Sequence, residues 1–219
     1  MAQRRARRVA ALAAVGVFAF AVPAHAQVRA DSSGAVGGGM ALFGTEAVDI
    51  GPLAPCAAGG PGNGTTTGAE SDFGLVKYGR GSGTCAFDPE SGVASANVTG
   101  QDFEVNGLTL YGGPSIGISS FSASCTTTET GIKRSVALSG VTGVALPDEV
   151  PEDYTVIIPG PNPNQPMARL VFNDTAPADP TDLRSESVHV LKVHLYPRGG
   201  GAASGTLTVG SVSCNPPGR

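Results

Sequence analysis

The chain predicts an all-β fold: a sandwich or partly open barrel of short antiparallel strands, with long Gly/Pro-rich loops and two disulfides. Three observations carry this. Beyond the first 26 residues, apolar side chains nowhere recur at i, i+3, i+4 and i+7 over three turns. Short runs of alternating apolar and polar residues instead recur at roughly ten-residue spacing, with turn formers between them. The 219 residues include 32 glycines and 17 prolines, both poor in helix interiors.

The one helix expected is at the start. Arg4, Arg5, Arg7 and Arg8 precede an apolar run, Val9–Val22, and then Ala24-His25-Ala26. This is the pattern of a secretory signal peptide spanning residues 1–26, cleaved after Ala26. The apolar run has 14 residues, and a membrane span needs about 20. Residues 27–219 then form a single β-rich domain, with a flexible Gly/Ser-rich start over 27–39. Met40–Phe43 and Glu46–Ile50 read as short strands, and Ala57–Gly68 (AAGGPGNGTTTG) as a loop. Phe73–Tyr78 is a further strand, and Ser91–Val98 leads into Glu104–Cys125. Ser135–Val144 alternates, and Leu146–Asp153 is a loop of prolines and acids. Tyr154–Ile158 and Ala168–Phe172 are strands separated by the proline-rich break Pro159–Pro166. Asn173–Leu183 is a polar loop, and His189–Cys214 closes the domain.

Glu104–Cys125 and His189–Cys214 echo each other. Each holds an alternating run ending in Leu-Tyr, a glycine-bearing break, and a second run ending in Ser-Cys. They read as two related strand–turn–strand units, each delivering a cysteine to a strand end. Asn106-Gly107 is a hairpin signal by itself. The echo has Leu191-Lys192 there, which favours a bulge in a continuous strand. In both units the apolar parity switches at one place, after Ile118 and after Val209, predicting equivalent bends.

Cys56, Cys85, Cys125 and Cys214 all follow the signal peptide. An even count in an exported chain favours two disulfides out of three possible connectivities. Cys56–Cys85 is favoured because it brackets the glycine-rich loop, and Cys125–Cys214 because it joins equivalent strand ends. A cysteine-based metal site lacks its ligand spacing. Loss of the four signal-peptide arginines takes the net charge from −4 to −8, which disfavours nucleic acid as a partner. No later apolar run reaches the length of an integral membrane span.

Gly113-Pro-Ser115-Ile-Gly117 matches G-x-S-x-G, the nucleophile elbow of serine hydrolases, with His189 and His194 downstream. The elbow needs a helix after the serine, and a strand-like run follows instead. His189 and His194 are an odd number of residues apart, so a regular strand puts them on opposite faces, one half-buried and one exposed. Asp148, Glu149, Glu152 and Asp153 gather four acids without an EF-hand pattern; they read as a solvated loop, with a weak calcium site as the alternative. Asn63, Asn97 and Asn173 begin N-x-T sequons, discounted because the residue usage has a bacterial character. No catalytic, cofactor-binding or metal-ligating residues are assigned. The sequence therefore supports a secreted or cell-surface-associated, non-catalytic β protein with a structural or interaction role. A binding module reading glycan or cell wall through Ala57–Gly68 and Pro159–Pro166, and a hydrolase using Ser115, are the alternatives.

Val105–Tyr111 with Gly112-Gly113, Ile118–Thr128, Ala168–Phe172 and Ser187–Cys214 resemble the choice-of-anchor P family of actinobacterial exported proteins. The resemblance covers most of the chain after the signal peptide. It implies a β-rich secreted or surface protein and brings no catalytic residues. Members differ in their C-terminal anchoring device; this chain ends five residues after Cys214 without a sorting motif. That favours release, or attachment through a cell-envelope polymer or protein partner.

Overall fold

The computed structural model describes residues 30–160, 165–179, 182–196 and 203–216. The signal-peptide segment and part of the Pro159–Pro166 break lie outside them. Fourteen strands occur among the described residues: β1 (Asp31–Phe43), β2 (Glu46–Leu53), β3 (Cys56–Ala57), β4 (Asn63–Thr66), β5 (Ala69–Glu70), β6 (Val76–Tyr78) and β7 (Gly81–Asp88). They continue as β8 (Val93–Val105), β9 (Ile116–Thr128), β10 (Gly131–Thr142), β11 (Tyr154–Pro159), β12 (Pro166–Asp179), β13 (Asp182–Leu195) and β14 (Ala203–Asn215). Short 3-10 turns occupy Asp72–Gly74 and Gly107–Tyr111.

The strands form two antiparallel sheets. Sheet A runs β11-β12-β13-β14-β1-β2, with β3 also on β1; sheet B runs β10-β9-β8-β6-β5, with β7 on β8 and β4 on β7. Sheet A is thus assembled from the two ends of the domain and sheet B from its middle. The sheets pack face to face, β1 over β7 and β8, β14 over β8 and β9, and β13 over β9 and β10. The fold is a sandwich, not a closed barrel. Its core is the layer between them, filled by Phe43, Phe103, Phe172, Ile116, Ile118 and Leu207, all essentially inaccessible. Each such side chain contributes about 1.5–3 kcal/mol on burial.

Both disulfides cross between the sheets. Cys56 on β3 bonds Cys85 on β7, and Cys125 on β9 bonds Cys214 on β14. This is the pairing that the loop and the echoed hairpins favour. An ion-pair clamp stands beside the second bond. Arg134 lies opposite Cys125, and Glu186 opposite Cys214. The Arg134 guanidinium bonds Glu186 and also Glu152, at 2.7 Å. An inward cation on β10 also blunts an edge strand against pairing with another chain.

The bends read from sequence are present, and their cause lies partly in neighbouring strands. In sheet B, Asp102 of β8 (φ 53°) and Gly140 of β10 (φ 62°) take left-handed backbone. Both flank Ser119 of β9, and the ladders keep register across them. In sheet A, Asn173 of β12 (φ 51°) and Gly210 of β14 (φ 55°) flank Val190 of β13 in the same way. A left-handed residue rotates a strand, so the side facing the core changes. Buried residues accordingly run Ile116, Ile118, then Phe121, Ala123 in β9, and Leu207, Val209, then Val212, Cys214 in β14. Only glycine fits at 210. A Cβ there would lie 2.6 Å from Val190 Cγ2 and 2.9 Å from Phe121 Cδ2 of the opposite sheet.

Several local expectations are corrected. The flexible start is instead β1 from Asp31 on, an interior strand hydrogen-bonded to β14 and β2. The polar loop Asn173–Leu183 belongs largely to β12 and β13, paired as far as Asp179 and Asp182. Asn106-Gly107 is not a bulge: β8 stops at Val105 and a 3-10 turn follows. That turn leaves Leu110 59% exposed, whereas its counterpart Leu195 is buried at the end of β13. Phe73 is not in a strand but on the first 3-10 turn, and Asn63–Thr66 inside the expected glycine loop is strand β4, paired with β7.

Candidate functional site

Ser115 precedes β9, so the strand–nucleophile–helix order of an elbow is absent. Its hydroxyl donates to Asn106 Oδ1, and Asn106 Nδ2 donates to Gly74 O at 3.2 Å. Ser115 thus helps tie the two 3-10 turns together. The histidines are engaged in the other sheet, His189 with Asp174 and His194 with Thr206.

His189 and His194 do not lie on opposite faces. Val188, Val190, Leu191, Val193 and Leu195 are all buried, so the parity of β13 changes between Val190 and Leu191, where Asn173 and Gly210 flank it. His189, Lys192 and His194 therefore share the outward face of sheet A, both histidines half-buried. Lys192 Nζ lies 2.6 Å from Asp174 Oδ2, and His189 Nε2 lies 3.9 Å from the same oxygen. Burial, reinforced by the Lys192 ammonium and opposed by Asp174, pushes the His189 pKa down to about 4. Burial first, then Arg169 and Lys192, also lowers that of His194. His189 is therefore a neutral imidazole at physiological pH, and its buried Nδ1 has no hydrogen-bond partner among the described residues.

The four acids of the 148–153 loop do not converge. Glu152 pairs with Arg134, and Asp153 Oδ1 accepts from the Thr175 backbone N–H at 2.8 Å. No group of three His, Cys, Asp or Glu side chains able to hold a metal is found among the described residues. Asn63 and Asn97 are exposed, whereas Asn173 sits half-buried at the kink.

Both outward faces carry concave surfaces. On sheet A a groove of about 400 Å³ lies over Gly37-Gly38-Gly39 of β1. Asp49, Ile50 and Pro52 border one side; His189, Thr208 and Ser211 border the other. Its floor is backbone because a Cβ on Gly38 would approach Gly51 O and Ile50 O to 2.9 Å. Tyr78 fixes this floor from beneath. Its buried hydroxyl donates to either Gly38 O (3.1 Å) or Thr208 O (3.0 Å), two carbonyls beside the kink. Burial raises the Tyr78 pKa, partly offset by the Gly38 bond, so the hydroxyl keeps its proton.

On sheet B a trough of about 430 Å³ crosses β7, β8 and β9, with a second of about 250 Å³ beside it over β9 and β10. The outward side chains here form rows in register: Asn97–Ser124–Ser135, Thr99–Ser122–Ala137 and Gln101–Ser120–Ser139. Ser82 and Thr99 share a 3.1 Å hydroxyl bond, and Ser120 and Ser139 one of 2.8 Å. Arg80 Nε donates to Gln101 Oε1 at 2.9 Å at the rim. Every one of these residues is visible in the sequence; the ladder that sets them side by side is not. Of the two loops expected to read a ligand, Ala57–Gly68 is held by β3, β4 and the Cys56–Cys85 bond. Pro159–Pro166 lies partly outside the described residues.

No family model, curated protein or solved structure matches this chain.

Proposed function

We propose that this chain is an exported, non-catalytic β-sandwich with a structural or interaction role in the cell envelope or extracellular space, of the kind its resemblance to choice-of-anchor P proteins implies. The observation that carries the reading is the pair of disulfides between the sheets, with no free cysteine among the described residues. Such bonds persist in oxidising compartments. No helix among the described residues is long and apolar enough to cross a membrane, and the reading places the processed chain outside the bilayer. Action through a surface, as a binding module, is the form of this role that the two concave outer faces favour.

Expression of the full chain in an actinobacterial host, followed by fractionation, tests the export half. The expected result is a processed, oxidised protein in the medium or at the cell surface. Retention of a reduced, unprocessed chain in the cytoplasm contradicts it. A fluorophosphonate serine probe tests the other half: labelling lost on Ser115→Ala would replace this reading with the hydrolase alternative.

A further inference from the structure

We infer that the outward face of sheet B is a docking surface for an uncharged polysaccharide. The inference rests on the exported-module reading above and names the partner class. Within Ser82–Thr84, Asn97–Gln101, Ser120–Ser124 and Ser135–Ser139, eleven side chains point outward, and all are Ser, Thr, Asn, Gln or Ala. An ordinary surface is about 25–35% charged, so roughly three charges belong there. The nearest charges border it: Arg80, which lines the larger trough and donates to Gln101, Asp102 beside Gln101, and Lys133. A chain this acidic has kept charge off one face, and a neutral face complements a neutral partner without stranding a buried ion.

The chemistry of the face suits a hydroxylated polymer. Hydroxyls and carboxamides both donate and accept, as sugar hydroxyls require. Ser and Thr lose little rotamer freedom on contact, unlike the Lys and Glu usual on such faces. Cross-strand hydroxyl bonds hold the array in place, and the two troughs at Ser120 and Phe121 give sugar rings a recess. The block is four strands wide and at most five residues long, about 330 Å². A stable protein interface takes about 800 Å² from each partner, so the block is small for a second copy. A long polymer presents the same unit many times along its length, so a patch this small can engage it in many equivalent registers.

The test is co-sedimentation of the oxidised protein, without its signal peptide, with microcrystalline cellulose, chitin and insoluble starch. At least one should retain it, and Ser122→Glu should cut the retained fraction at least tenfold. Thr99→Ala/Ser122→Ala, which adds no charge, should cut it about threefold, and an unchanged Tm in both variants shows that the loss is not misfolding. Ile157→Lys, on the exposed edge strand β11 of sheet A, should leave retention unchanged. Equal retention of Ser122→Glu, or no retention on any of the three by an exported protein with both disulfides formed, overturns the inference while leaving the export reading in place. A dimer in sedimentation velocity that Ser122→Glu dissociates would assign the face to a second copy instead.

Discussion

Sheet A turns outward an ion pair, Asp174 and Lys192, beside two histidines; sheet B turns outward a block of short neutral side chains. Both are built on one device, a middle strand flanked by left-handed residues in its neighbours. In sheet A the device swings His189 and Lys192 to the same side and half-buries them beside Asp174. In sheet B it crosses at Ser119, beyond which the hydroxyl rows run to the disulfide. The same kink therefore makes a proton-sensitive face in one sheet and a neutral one in the other, because the side chains hung on it differ.

The largest test separates the clamps that hold these sheets together. Chain-entropy arithmetic gives about 4.6 kcal/mol for Cys125–Cys214, which spans 89 residues, and about 3.6 kcal/mol for Cys56–Cys85, which spans 29. Urea unfolding of the paired Cys→Ser variants should rank them in that order; the reverse order would mean that the glycine loop, not the β9–β14 contact, is the weaker point. The kinks come next. Gly210→Ala meets Val190 and Phe121 in the core and should cost about 2–4 kcal/mol. Gly140→Ala, on an exposed edge strand, meets Ser119 and should cost about 1–2 kcal/mol. Equal costs would show that the two devices are under equal constraint.

Acid should distinguish the faces. The folded-state pKa of His189 lies near 4, below its ordinary 6.5, so the unfolded chain binds that proton more tightly. Its contribution is fully present above pH 6.5 and lost as pH falls toward 4, by about 2–3 kcal/mol. His189→Asn should flatten that part of the stability profile, and Thr99→Ala or Ser122→Ala on sheet B should not. The smallest effect is at the seam between the sheets. Arg134→Met removes a partly exposed ion-pair clamp and should cost under about 1 kcal/mol, shrinking further in high salt.

The all-β class and the parity switches were legible because they depend on spacing along one strand, and the cysteine pairing because the two units echo each other and the other pair brackets one loop. The shared face of His189 and His194 was not, because the residues that turn β13 belong to β12 and β14. Gly34–Gly39 looked loose because glycine is a poor strand former; pairing on both sides overrides that preference. Polar composition likewise concealed the strands within Asn173–Leu183. The hydroxyl face was spelled out in Ser120-Phe-Ser-Ala-Ser124 and Asn97-Val-Thr99, but its area exists only once four strands align.

Non-reducing peptide mapping of the exported protein tests the account most directly. It should yield Cys56 linked to Cys85, Cys125 linked to Cys214 and no alkylatable thiol. Any other pairing, or free thiols at residues 125 and 214, would contradict the two-sheet clamp.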